Sequence, residues 1–477
     1  MQRKYKMAQE ASPSNLLKSL KVERVPFMQL AVRRGLAVVA GGLCLLGSHT
    51  SFATVTTGRF SFGGYISKEN LANTGDTASA NDFQTLSSRV FLSIRKLGDF
   101  DLTADLRDKH DFFDKLASER RSLTGGNEFQ VRELNVRYPN SRNSFYSTLG
   151  RFSLPDAGSV YVDGLELGSR FGSTYQLGAF GGHNPKRPES SYMRNDTPDI
   201  TYGTYLTYFS SDSGSPRFFN ASHAFVTNSV EGFTDRQYFY SNLLYQRNAR
   251  SRVISNIYLD FVPRTYVQNG NLLLQQGFTE RVDGSLQLSA VDAIAYSRSR
   301  NVLETLPSSP YEDVALRLRY SAALREQWIS ELRYGKRGYD NKTRQEAKLG
   351  YFLGDLASSR VEITTYLGYH HEFVSAGPLL NFEMYYYSSS WEYGLNLQGA
   401  IETRMDGDTS APSVLHPLIA EVSVGNVTNK VLFTTFSLEY AQNEIAQILS
   451  AFFKLTYRFG PVDLAPVRER TPQTGTL

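Results

Sequence analysis

Residues 449–459 read LSAFFKLTYRF. Leu449, Ala451, Phe453, Leu455, Tyr457 and Phe459 share one parity; Ser450, Phe452, Lys454, Thr456 and Arg458 share the other. Successive side chains of a strand point to opposite faces, so this run has one apolar face and one mostly polar face. A tilted strand needs about 9–11 residues to cross the hydrocarbon of a bilayer. This run has that length, and it ends in aromatic residues, which favour a membrane interface. The edge strand of a soluble sandwich would show the same alternation, so the rest of the chain has to decide.

The alternation recurs. Val90, Leu92 and Ile94 alternate with Arg89, Ser93 and Arg95, with Phe91 an exception on the polar side. A tight turn at residues 97–99 follows, and then Phe100, Leu102, Ala104 and Leu106 alternate with Asp101, Thr103, Asp105 and Arg107. Leu134, Val136 and Tyr138 oppose Glu133, Asn135 and Arg137. Val314, Leu316, Leu318 and Tyr320 oppose Arg317, Arg319 and Ser321; Trp328, Leu332 and Tyr334 oppose Glu331 and Arg333. Similar runs begin near Ile200, Val361, Trp391, Leu418 and Leu432, and several end in Tyr or Trp. The connections differ in length. Short turns fall at 97–99, 139–143, 248–251 and 427–429, and longer polar stretches at 67–82, 110–127, 183–199, 297–311 and 403–413. Whether residues 272–291 hold one strand or two is open in the sequence.

Composition agrees with an all-β chain. The 477 residues are 41% hydrophobic, 13% aromatic and 21% charged, and the mean hydropathy of −0.35 is too polar for a helical membrane protein. Aromatic residues favour strands, and 29 Tyr with 30 Phe is a heavy load. The expectation is an antiparallel transmembrane β-barrel of about 18–22 strands, with short turns at one end and longer loops at the other.

The one long apolar run, GLAVVAGGLCLLG at 35–47, follows Arg33 and Arg34 and precedes Ser51-Phe52-Ala53. Basic residues, a short apolar core and a small-x-small site read as a secretory signal. Residues 1–53 are therefore expected to be a signal peptide cleaved after Ala53, with Met28 an alternative start. The barrel then covers 54–459, and the Pro-, Thr- and charge-rich 460–477 is a disordered tail. The formal charge of +4 misleads, because eight of the 51 basic and two of the 47 acidic residues lie in 1–53, leaving a mature net charge of −2. That speaks against nucleic acid as a partner. The single cysteine, Cys44, lies in the signal, so a mature chain has neither a disulfide nor a cysteine metal site.

The final strand, with a terminal Phe and apolar residues at every second position, resembles the C-terminal signal strand of bacterial outer-membrane barrels. In that family the Phe usually ends the chain, whereas here residues 460–477 follow. As an architecture, 54–459 resembles the general porins of Gram-negative outer membranes. The patch LGRFSLPDAGSVYVDGLELGSRFGSTYQLGAFGG at 149–182 is similar to the porin segment in which a strand ending in Gly-Arg leads to a loop with an Asp-Gly turn. The resemblance implies that this loop folds into the lumen and narrows it, with Arg151, Asp156 and Asp163 as its charged residues.

No catalytic constellation is present in the sequence. The mature histidines, 110, 183, 223, 370, 371 and 416, include no HExxH and no His-x-Ser, and no GxSxG or phosphate-binding loop occurs. His370 and His371 are adjacent on a strand and so face opposite ways. No catalytic residue, metal or cofactor is expected.

The functional signal lies in the inward charges. Arg89, Arg95, Asp101, Asp105, Arg107, Glu133 and Arg137 are expected to line a pore, and so are Arg317, Arg319, Glu331 and Arg333; the parity of Arg132 is ambiguous. Either they set a transverse field, or they pair across strands and solvate a polar lumen. The expected function is passive diffusion of small hydrophilic solutes across the outer membrane, with the lipid bilayer as surroundings and a homo-oligomer as a candidate assembly. The rival is a barrel sheath around a partner such as a periplasmic multihaem cytochrome. A porin needs a constricting loop; a sheath needs a wide, unobstructed bore.

Overall fold

The computed structural model describes residues 55–71, 80–113, 128–138, 144–185, 199–211, 217–230, 232–262, 264–292, 310–356, 359–405, 412–426 and 431–460. The signal, the alternative start and the tail beyond residue 460 lie outside them. The strands in chain order begin with β1 (Val55–Leu71), β2 (Ala80–Leu97), β3 (Phe100–Phe113), β4 (Glu128–Tyr138), β5 (Phe145–Leu154), β6 (Val160–Phe171), β7 (Tyr175–His183) and β8 (Ile200–Ser211). They continue with β9 (Phe218–Val230), β10 (Phe233–Asn248), β11 (Ser251–Val262), β12 (Tyr266–Gly277), β13 (Val282–Val291), β14 (Tyr311–Ala323), β15 (Glu326–Arg337) and β16 (Thr343–Leu353). The last are β17 (Val361–His371), β18 (Ser375–Tyr387), β19 (Trp391–Ala400), β20 (Glu402–Arg404), β21 (Val414–Leu415), β22 (Leu418–Asn426), β23 (Leu432–Gln442) and β24 (Ala446–Phe459).

β20 and β21 extend the wall at its rim: β20 pairs with β18 beyond the end of β19, and β21 pairs with β20 beyond the end of β22. The other 22 strands form that wall, each antiparallel to its neighbours. The last strand closes it. β24 pairs with β23 on one side and with β1 on the other, from Gly58↔Phe459 to Leu71↔Ala446. Closure leaves no unpaired sheet edge, which a bilayer requires.

The face parity read from the sequence is the parity observed. Leu316, Leu318, Leu332, Leu349, Leu367, Leu380 and Val422 are exposed although apolar, because they point away from the barrel axis. Tyr175, Tyr208, Phe219 and Tyr245 run side by side around β7–β10, with ring centroids 4.9, 5.5 and 6.3 Å apart. Trp328 and Tyr351 extend such a belt on β15 and β16, 4.9 Å apart. Aromatic belts of this kind sit at headgroup level.

The strand ends joined across 98–99, 139–144, 249–250 and 427–431 meet at one end of the barrel, here the short-turn end. The strand ends joined across 72–79, 114–127, 184–199, 292–310 and 401–417 meet at the other. Three details differ from the sequence reading or complete it. β1, β2 and β3 run several residues into stretches expected to be loop, because hydrogen-bonded pairing continues where apolar alternation has stopped. Residues 272–291 divide between β12 and β13. Arg132 has no clear parity because the β3–β4 register shifts there: Asp105 pairs with Glu133 and Leu106 with Val131, so Arg132 is the extra residue of a bulge.

Candidate functional site

The interior is shaped by a crease in the wall. Gly150 on β5 pairs with Gly164 on β6, and Gly164 pairs with Gly182 on β7. A Cβ on Gly150 would run into the Leu134 carbonyl, and one on Gly164 into the Gly181 carbonyl. Gly150 also has φ +119°, a conformation closed to most side chains. β4 pairs with β5 only as far as Leu134↔Arg151. Beyond it the tip of the β5–β6 hairpin, residues 151–163, pairs only with itself and folds inward.

The tip leans on the inner face of β8–β11. Phe152, Leu154, Ala157 and Val162 are buried with Tyr205, Ala224, Val226, Tyr238 and Tyr240, and Tyr258 packs beside them. A short 3-10 turn at Pro155–Ala157 reverses the chain. The Tyr258 hydroxyl donates to the Gly158 carbonyl at 3.0 Å, and Ser222 donates to Asp156 at 2.9 Å. At the root of the tip Arg151 donates to both oxygens of Asp163, at 2.6 and 2.5 Å, and to the Val131 carbonyl at 2.8 Å. Burying side chains such as Phe152, Leu154 and Val162 stabilises by about 1.5–3 kcal/mol each. A single hydrogen bond is worth about 1 kcal/mol. Packing therefore holds the tip, and the hydrogen bonds set its position.

The wall beside the tip carries many of the expected pore residues. Arg89 binds Asp105 through two hydrogen bonds of 2.7 and 2.5 Å, and Arg132 lies 3.9 Å from the same carboxylate. Arg132 reaches the Tyr161 hydroxyl at 3.4 Å, and Glu133 accepts from the Ser153 hydroxyl, so both hold the tip. Asp101 accepts from the Lys96 amide at 2.9 Å and sits opposite Arg137. The Arg137 and Arg170 guanidiniums lie over the Tyr146 ring, 4.6 and 4.8 Å from its centroid. Arg107 sits opposite Arg89, and among the described residues it has no acidic partner. Arg95 stands apart, exposed near the short-turn end.

Arg317, Arg319, Glu331 and Arg333 form a separate group on β14 and β15. Arg317 pairs with Glu331 at 3.1 Å, Arg319 with Asp283 at 3.5 Å, and Arg333 with Asp313 at 2.8 Å. The Arg317, Arg319 and Arg333 side chains keep 21–30% of their exposure, whereas Arg151 keeps 1%. Arg89 and Arg132, on the wall beside the tip, keep 35% and 32%.

Several interior residues escaped the sequence reading. Arg236 forms two hydrogen bonds to Asp260, at 2.8 and 2.9 Å, with both side chains nearly sealed. Tyr205 donates to Glu166, and Thr148 donates to the same carboxylate at 2.6 Å. A signal existed: Tyr205, Tyr238, Tyr240 and Tyr258 occupy inward positions, where a wall facing water would carry smaller polar groups. On the outward face His223 Nδ1 lies 3.1 Å from Ser241 Oγ. The pair spans two strands, so a search for His-x-Ser along one strand misses it. Among the described residues, no further polar side chain orients that ring, which stacks on Phe239.

A closed wall with an apolar outside, aromatic belts and a charged inside fits only one setting. The chain is a transmembrane β-barrel of the outer-membrane type. Among solved structures the barrel is similar to the P pilus usher (PapC) translocation pore, at 9% identity and a TM-score of 0.49, over 84% of this chain and 99% of that one. It is also similar to OpdQ of Pseudomonas aeruginosa, at 8% identity and a TM-score of 0.42, over 85% and 99% of the two chains. OccAB1 of Acinetobacter baumannii has 11% identity and a TM-score of 0.42, over 85% and 97%. No family model and no curated protein matches the barrel's sequence.

Proposed function

We propose that the barrel is a channel for passive diffusion of small hydrophilic solutes across the outer membrane. The observation that carries this reading is the hairpin tip at 151–163, packed inside a closed wall with charged side chains such as Arg89, Asp105 and Arg132 beside it. A barrel of this size leaves an aqueous interior unless something fills it. The tip fills part of it and so narrows the passage, with Arg151, Asp156 and Asp163 serving as its internal clips. A sheath around a cytochrome would need that space free, so the tip favours the channel.

Residues 1–53 are proposed to direct export, and 460–477 to be dispensable for the barrel. Purified barrel in a planar bilayer tests the function. The channel reading expects discrete conductance steps that rise with salt. A folded, heat-modifiable barrel that never conducts would refute it.

A further inference from the structure

The arginines of the interior are mostly neutralised. Arg89, Arg151, Arg236, Arg319 and Arg333 each pair with an aspartate, and Arg317 pairs with Glu331. The opposite imbalance occurs on one sector of the wall. β17, β18, β19, β22 and β23 are consecutive in the wall, and none of them contains a lysine or an arginine. They carry Glu362, Glu383, Glu392, Glu421 and Glu439, all on the inward parity.

The register aligns three of these glutamates. Glu383 pairs with Asn396, Asn396 with Glu421, and Glu421 with Glu439. Neighbouring strands lie about 4.8 Å apart, so Glu421 and Glu439 are adjacent like charges, and Glu383 is about 10 Å from Glu421. Like charges directly opposite each other destabilise a sheet, which makes the row a cost to the fold. Among the described residues, no cation lies within ion-pair distance of Glu383, Glu421 or Glu439. The nearest inward basic groups by register are Lys348 on β16, His370 on β17, and Lys454 and Arg458 on β24. Among the described residues, Asn381 Nδ2 is the donor to Glu383, at 3.2 Å. Asn381 Oδ1 is sealed from solvent and has no donor.

We propose that the β17–β23 sector, through Glu383, Glu421 and Glu439, biases the channel towards small cations and solutes bearing an ammonium group. This rests on the channel reading. The uncompensated carboxylates hold a negative potential along one side of the lumen. Mobile cations supply the counter-charge that the protein does not, and their local concentration rises there.

The test is a Glu383→Gln, Glu421→Gln, Glu439→Gln variant compared with the parent barrel in planar bilayers under a potassium chloride gradient. Gln keeps the shape and removes the charge, and it relieves the Glu421–Glu439 repulsion, so the variant should fold at least as well. The cation-to-anion permeability ratio should fall roughly threefold at about 0.1 M salt, and the difference should shrink near 1 M as screening shortens. A variant that conducts with an unchanged ratio overturns the proposal and leaves the channel intact. A parent barrel that is folded but silent overturns both.

Discussion

Tyr258 on β11 donates a hydrogen bond to the carbonyl of Gly158, 100 residues away in sequence, and its ring lies where a Gly158 side chain would be. A Cβ at Gly158 would fall 2.7 Å from that ring, and the residue has φ +79°. The contact sets how far the hairpin tip reaches across the barrel.

The two halves of that contact can be separated. Tyr258→Phe removes one hydrogen bond of about 1 kcal/mol and leaves the packing, so single-channel conductance should change little. Gly158→Val adds a clash and a strained backbone costing about 1–3 kcal/mol, and the tip can no longer seat. Its conductance should rise. Equal conductance in parent and Gly158→Val would mean that the tip is not the narrowest section.

Facing can be tested on neighbouring residues of β14. Leu318 points to lipid, and an arginine there costs about 2–4 kcal/mol at mid-membrane. Arg319 points inward, 3.5 Å from Asp283, which also has Arg250 at 3.8 Å. Leu318→Arg should therefore lose most of its heat-modifiable form on a gel, and Arg319→Leu should keep it. Similar losses from both would point to a soluble core rather than a bilayer around this strand.

The arginines of β2–β4 divide by partner. Arg107 and Arg137 have no acidic partner within ion-pair distance among the described residues, and Arg95 is exposed. Neutralising all three to Gln should move the reversal potential towards cations at low salt, with a smaller effect at 1 M, where the Debye length is about 3 Å. Arg89 differs, because its partner Asp105 keeps only 6% of its side-chain exposure. Arg89→Gln should act on stability, lowering the unfolding midpoint, with less effect on selectivity. A reversal potential that moves with Arg89→Gln alone would contradict this division.

At the long-loop end, His416 donates its amide to Glu444 at 2.8 Å, and its ring lies 2.5 Å from the same carboxylate. Burial pushes the Glu444 carboxyl up, but the His416 contacts more than offset it and hold it below its ordinary value. A carboxyl depressed in the folded state stabilises above its unfolded pKa and loses that contribution as pH falls through the folded value. Connection 401–417 should therefore become more sensitive to protease only below pH ~4. His416→Ala keeps the amide contact and loses the ring contact, so it should show part of that sensitivity at neutral pH as well. Cleavage independent of both would show that the pair does not pin the connection.

Alternation is a local property with period two, so residues 449–459 or 314–320 declare their faces without any partner. From that follow the wall, its lipid face, the closing strand and the unequal turns, all legible along the chain. The inward position of Arg89 or Arg319 was equally legible. Whether either charge is free was not, because that depends on which residue the register sets beside it on the next strand. The sequence alone left both a field and a paired lumen open, with pairing the favoured reading. The tertiary structure pairs Arg89 with Asp105 and Arg151 with Asp163, and leaves Glu421 facing Glu439. The fold of the tip was likewise invisible to periodicity. Gly150, Gly164 and Gly182 become a crease only when three strands align them, and Tyr258 meets Gly158 only after the barrel closes the distance between β6 and β11.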